Sequence, residues 1–337
     1  MAELADGGSL VAAGTPYPVS CRVRERLHLC GRRLGDRWLH EIKRQEPLTL
    51  RQGVRSTLTM LITRIQDLVR SHYVFPDVAD RIAATLADVT LDGDGPEAAA
   101  TLTAALQSVN GDLHLRVRHY PEGVPPEADE EAIRAHFAAV SRVDGPGITE
   151  VRRLEGNVGL MTIGPVIPPP EHAGPAAAAA YLLLEGVDRL ILDLRGCLGG
   201  VPESVALLVS HLMGADPVHL QDLVHRDGTT ESSITTPEVS PRLPDVPVVV
   251  LTSACTFSGG EELAYDLQSL GRAVVVGETT GGGAHPREAF DLTEHLQLHV
   301  PVARSVNAVT GTNWEGVGVV PDRPCPSEDA LEAALVL

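Results

Sequence analysis

The chain has 337 residues, 43% of them apolar and 21% charged, with a formal net charge of −18. This length can bury a sizeable core and suits two domains, while the charge disfavours nonspecific binding to nucleic acid. No run of about 18 apolar residues occurs, which excludes a spanning helix on length.

The start, MAELADGG, carries acid and no apolar segment, so no secretory signal is expected and the expected compartment is the cytoplasm. Five cysteines, Cys21, Cys30, Cys197, Cys255 and Cys325, are spread without a C-x-x-C pair, against both a disulfide framework and a structural zinc site. The first 72 residues carry 12 basic against 7 acidic side chains. A basic arm of this kind can grip an acidic partner, a membrane surface, its own acidic body or a sister subunit. Lys43 is the only lysine, so the later chain holds no amine for a phosphate loop, a Schiff base or a serine–lysine dyad.

In chain order, residues 1–50 form an Arg-rich extension in which Leu27, Leu34, Trp38 and Ile42 stand near helical spacing, weakened by Gly31 and Gly35. Leu58, Leu61, Ile62, Ile65, Leu68 and Val69 then make one apolar stripe of a long helix. Pro76 and Pro96 each open a further helix, giving a helical domain over 51–122. The proline- and acid-rich PEGVPPEADEEA begins a linker over 123–147. From 148 to 337, NVGLMTI, RLILDLR, VPVVVLTS and RAVVVGE predict short buried strands. AAAAAYLLL, VPESVALLVSHLM and GGEELAYDLQSL predict helices following them, which together define an α/β core.

Ser258 stands between the strand VPVVVLTS and the helix GGEELAYDLQSL, with Glu261 three residues on. That spacing is a capping box, and it also places a hydroxyl at the positive end of a helix, where an anion is stabilised. Gly259 lets the backbone approach a substrate. Thr256 occupies the position at which G-x-S-x-G has glycine, so the α/β-hydrolase elbow is excluded. The loop DLRGCLGG follows another buried strand, and its Gly199 or Gly200 amide could complete an oxyanion hole with Gly259. A third glycine loop, GETTGGGAHP, lacks the lysine and spacing of a phosphate loop. His295 and His299 are four apart, but HLQLHVPV alternates like a strand, so no metal is expected.

The segments TFSGGEELAYDLQSLGRAVVVGETTGGGAHP, ILDLRGCLGG and TGTNWEGVGVVPD, in this order with HYVFPDVADRIAATL and SVNGDLHLRV before them, resemble the tail-specific protease superfamily. The likeness is to its branch of tricorn-like peptidases and the interphotoreceptor retinoid-binding protein. It implies a crotonase-like core of stacked β-β-α units behind an N-terminal helical domain. It puts the nucleophile on Ser258, the base on His114 of GDLHLRV and the orienting carboxylate on Glu315 of NWEGVGVVPD. An imidazole base implies an acylation rate that rises through one ionisation near neutrality.

The sequence departs from the resemblance at three places. The glycine–lysine segment is replaced by GETTGGGAHP, and the connection is too short for a peptide-binding insert. Leu113, Cys197 and Leu198 stand where smaller or more polar residues are usual. With Cys255 they are expected to line an apolar side of the cleft. The implied function is a serine hydrolase without cofactor, acting on peptides. The alternative is a non-proteolytic pocket for an apolar small molecule, as a carrier or an enzyme of cyclisation or isomerisation. Homo-oligomerisation is compatible with either.

Overall fold

The computed structural model describes residues 48–124 and 130–337, so the Arg-rich segment and its helical spacing lie outside the described residues. The chain begins with helix α1 (Leu48–His72), α2 (Pro76–Thr85) and α3 (Pro96–Gln107), the last two opened by proline at the first turn. Strand β1 (Arg116–His119) follows, then α4 (Glu130–Asp144), which occupies the stretch expected as a linker. Helix formers and the spacing of Ile133, Phe137 and Val140 in EEAIRAHFAAVSRVD account for it.

The remaining elements are β2 (Ile148–Leu154), β3 (Val158–Ile163), α5 (Pro170–Leu183), β4 (Arg189–Asp193), α6 (Pro202–Ser210), β5 (His219–His225) and β6 (Thr230–Ile234). They continue with β7 (Val248–Thr252), α7 (Gly259–Ser269), β8 (Ala273–Gly277), β9 (Arg287–Asp291), β10 (Leu296–Pro301), β11 (Ala303–Asn307), β12 (Arg323–Pro324) and α8 (Ala330–Leu335). A six-stranded sheet runs in the order β12-β8-β7-β4-β3-β2, parallel except for the β2–β3 pair. Two antiparallel three-stranded sheets, β1-β10-β9 and β11-β5-β6, complete the fold.

The large sheet is buried on both faces, as its uninterrupted apolar strands require. Leu190, Leu192, Val248 and Val250 face a cluster that includes Val205, Val209, Leu263 and Leu267 of α6 and α7. Ile191, Val249 and Leu251 point the opposite way, against Ala330 and Ala334 of α8. The apolar stripe of α1 packs through Leu61, Ile65 and Val69 into a separate cluster, which also takes Leu296, Leu298 and Val300 of β10. Since β4, β7 and β8 are parallel neighbours, their C-terminal ends share one edge. The three glycine-containing loops that follow them are therefore brought together, as crevices at such strand ends generally are.

Candidate active site

β7 ends at Thr252, and the turn leading to α7 holds Ser258 at φ 52° and ψ −124°. A positive φ is costly for a residue with a Cβ, of order 1–3 kcal/mol, and persists where the surroundings over-determine it. Here the buried Glu261 does so. Its carboxylate accepts the Ser258 amide at 2.8 Å, the Gly282 amide at 2.7 Å, the Gly283 amide at 2.9 Å and the Thr280 hydroxyl at 2.5 Å. Burial raises the Glu261 pKa, and these four donors oppose the rise. The serine-to-glutamate spacing thus anchors the turn and also fastens the third glycine loop to α7.

The DLRGCLGG loop lies directly against the serine. A Cβ on Gly199 would sit 3.1 Å from Ser258 Cβ, and one on Gly259 would sit 2.8 Å from the Gly200 amide nitrogen. Only glycine permits that approach of two backbones. Among the described residues, no hydrogen bond engages the Gly199 or Gly200 amide. A cavity of about 100 Å³ opens here; its wall includes Ser258, Gly259, Gly200, Glu262, His285 and Trp314.

Leu113, Cys197, Leu198 and Cys255 are not on that wall. Cys197 is buried, and its sulfur would lie 2.8 Å from a Cβ on Gly260. Burial pushes its thiol up to about 12, consistent with a small packing residue. Leu113 and Leu198 are half-buried. Cys255 is half-buried and disulfide-bonded, against the expectation drawn from the cysteine spacing.

His114 precedes β1 and is buried, with its ring 4.9 Å from that of Phe257, the residue before Ser258. Its Cε1 lies 2.7 Å from where a Cβ on Gly283, a residue of the cavity wall, would be. Burial pushes its pKa down to about 3, with Asp112 opposing and Arg116, Arg287 and His285 adding to the fall. Glu315 follows β11. Its Oε2 accepts the Ala284 amide at 2.5 Å and lies 3.6 Å from His285 Nδ1. Burial raises Glu315 to about 7, with His285 opposing. His114 Nδ1 and Glu315 Oε1 are both buried without a hydrogen-bond partner.

Two residues absent from the sequence expectation complete the cluster. His285, at the end of the third glycine loop, donates from Nδ1 to Asp112 Oδ2 at 2.8 Å. Asp112 Oδ2 also accepts the Tyr73 hydroxyl at 2.9 Å, and Asp112 Oδ1 accepts the His114 amide at 3.1 Å. Burial acts to raise the Asp112 pKa, but His285 and Tyr73 outweigh it and the carboxyl is held below its ordinary value. The available signals were a histidine ending a glycine loop after a strand and an aspartate two residues before His114. Neither has a spacing that ties it to Ser258.

Donor atoms of Asp112, His114 and Glu315 lie within 4.8 Å of one another, which makes this the place among the described residues where a cation could be held. Both carboxylates already serve protein donors there. His295 and His299 bond separately, to the Tyr120 carbonyl and the Gln297 side chain.

The fold is of a mixed α/β class shared with solved structures. A candidate peptidase from Parabacteroides merdae has 18% identity and a TM-score of 0.59 over 84% of this chain and 95% of its own. The tricorn protease has 15% identity and a TM-score of 0.50 over 83% of this chain and 35% of its own. Residues 167–325 match peptidase family S41, and residues 48–145 match the N-terminal domain of that family in eukaryotic interphotoreceptor retinoid-binding protein. Together these matches span most of the chain, which belongs to peptidase family S41. A carboxyl-terminal-processing protease from Picosynechococcus is 33% identical over 43% of this chain and 33% of its own length. The chain spans about a third of the length of the curated relatives it matches. No described helix is long and apolar enough to cross a membrane.

Proposed function

We propose that the chain is a serine peptidase in which Ser258 attacks a peptide carbonyl, His114 takes its proton, and Glu315 orients the imidazole. The observation that carries this reading is the serine turn. A strained hydroxyl-bearing residue stands at a helix N-terminus beside Gly199 and Gly200, whose amides have no hydrogen-bond partner among the described residues. Gly259, Gly199 and Gly200 are the proposed oxyanion donors. The buried, unpartnered Nδ1 of His114 and Oε1 of Glu315 support their pairing during the reaction.

Leu113 and Leu198 are half-buried but do not line the cavity, whereas Glu262, His285 and Ser305 do, which favours the peptidase reading over the non-proteolytic one with an apolar ligand. A cytoplasmic location and homo-oligomerisation remain parts of the proposal. The deciding experiment is labelling by a fluorophosphonate. Wild type is expected to be labelled and Ser258→Ala to stay unlabelled; equal labelling of the two would reject Ser258 as nucleophile.

A further inference from the structure

We propose that His285, held by Asp112, is a second catalytic residue of this site: it delivers the proton that the leaving amine needs. The proposal rests on the acyl-transfer reading of Ser258 and adds a residue to it. Peptide cleavage requires two proton movements, one away from the serine and one onto a nitrogen that cannot depart as an anion. The site holds two buried imidazoles, and they are placed differently.

His114 packs against Gly283 and Phe257, whereas His285 is itself on the wall of the cavity that contains Ser258. A carboxylate only accepts, so the 2.8 Å contact with Asp112 takes the Nδ1–H of His285 and leaves the Nε2 side of the ring for the cavity, where the imidazolium form carries its second N–H. Asp112 is in turn held by the Tyr73 hydroxyl, which accepts the Asn110 amide at 2.6 Å. The ring is further fixed by Phe75, edge-on at 5.4 Å, and by Glu315 Oε2 at 3.6 Å from Nδ1. Such a chain orients the imidazole.

In acylation the Ser258 Oγ–carbon bond forms and the scissile carbon–nitrogen bond breaks. The serine proton passes to His114, and His285, which enters the step as the imidazolium, passes its Nε2 proton to the departing nitrogen and is left neutral. In deacylation a water oxygen bonds to the acyl carbon and Ser258 Oγ leaves. The water proton goes to His285 Nε2, and His114 returns its proton to Ser258, so both residues end as they began.

The test varies the leaving group. The 7-amino-4-methylcoumarin amide and the p-nitrophenyl ester of one acetylated tripeptide are compared on wild type, His285→Gln, Asp112→Asn and His114→Ala. The amine must be protonated to leave, whereas nitrophenolate need not be. His285→Gln is expected to lower kcat/KM for the amide about 10²–10⁴-fold and for the ester less than about tenfold. Asp112→Asn should show the same bias more weakly, and His114→Ala should lose both substrates alike. Equal losses on amide and ester in His285→Gln, or an undiminished amide rate, would overturn the role of His285 alone. Failure of wild-type Ser258 to react with ester or fluorophosphonate would reject the acyl-transfer reading and this role with it. If His285→Gln does not fold, Asp112→Asn decides by the same ratio.

Discussion

At the scale of single residues, the backbone of Ser258 and the two histidines make separable predictions. Glycine adopts φ 52° without the cost that a Cβ brings. Ser258→Gly should therefore be more stable than Ser258→Ala by about 1 kcal/mol, read as a higher melting temperature, although both lose the hydroxyl. The sequence expectation of an imidazole ionising near neutrality meets a His114 pushed down to about 3 by burial. The group near neutrality is instead Glu315, raised to about 7. A limb near pH 7 in the acylation rate should thus disappear in Glu315→Gln, and its persistence there would assign it to another group. Metal removal offers a further check: a chelator should leave fluorophosphonate labelling unchanged, since Asp112 and Glu315 are engaged with protein donors. Ser258, His114 and Glu315 could be proposed from the sequence because each sits in a recognisable motif. His285 and Asp112 could not, because they meet only through a contact across 173 residues.

At the scale of elements, α7 carries the site and much of its electrostatic cost. Glu261 lies one turn from Ser258 and serves four donors from the serine turn and the third loop. Glu261→Gln keeps the shape but removes acceptor capacity, leaving buried amides short of partners. It should cost about 2–4 kcal/mol in unfolding and slow labelling of Ser258.

One turn further on, Asp266 accepts the Asn307 amide on Oδ1 while Oδ2 is buried without a partner. Burial pushes its pKa from an ordinary 3.8 to about 7. A carboxyl with a raised folded pKa binds more protons folded than unfolded, so its stabilising contribution is full below about 4 and is lost as pH rises through about 7. Asp266→Asn should flatten that decline in melting temperature, because the amide preserves the Asn307 contact without a charge to bury. An undiminished decline would shift the cause to Glu262 or Glu315, whose pKa values are also raised.

At the scale of the whole molecule, the helices and the α/β core are joined by shared packing. Leu296, Leu298 and Val300 of β10 belong to the same apolar cluster as Leu61, Ile65 and Val69 of α1. β1 pairs with β10 in register, and the Arg226 guanidinium donates to the carbonyls of Tyr73 and Arg70. Helix content by circular dichroism and the near-ultraviolet signal of the buried Trp314 should therefore melt together. Leu298→Ala should lower both by about 2–5 kcal/mol in the same transition. A helical signal that melts ahead of Trp314 would show the two parts to be independent.

The sequence by itself determined the strands, the helices and the serine turn, since each is written in local periodicity, a proline at a first turn or a capping spacing. It also determined the family, through motifs kept in order. It led to a linker where α4 stands, because the prolines and acids of PEGVPPEADEEA masked the helical spacing after them. Tertiary structure alone decided what faces Ser258. Three parallel strands bring three glycine loops to one sheet edge, and side chains that share no local pattern meet there. The leucines and cysteines beside the motifs stayed off the wall, while His285 arrived on it. Sequence spacing fixes direction within one element, but contacts between loops depend on strand order, which no local pattern encodes.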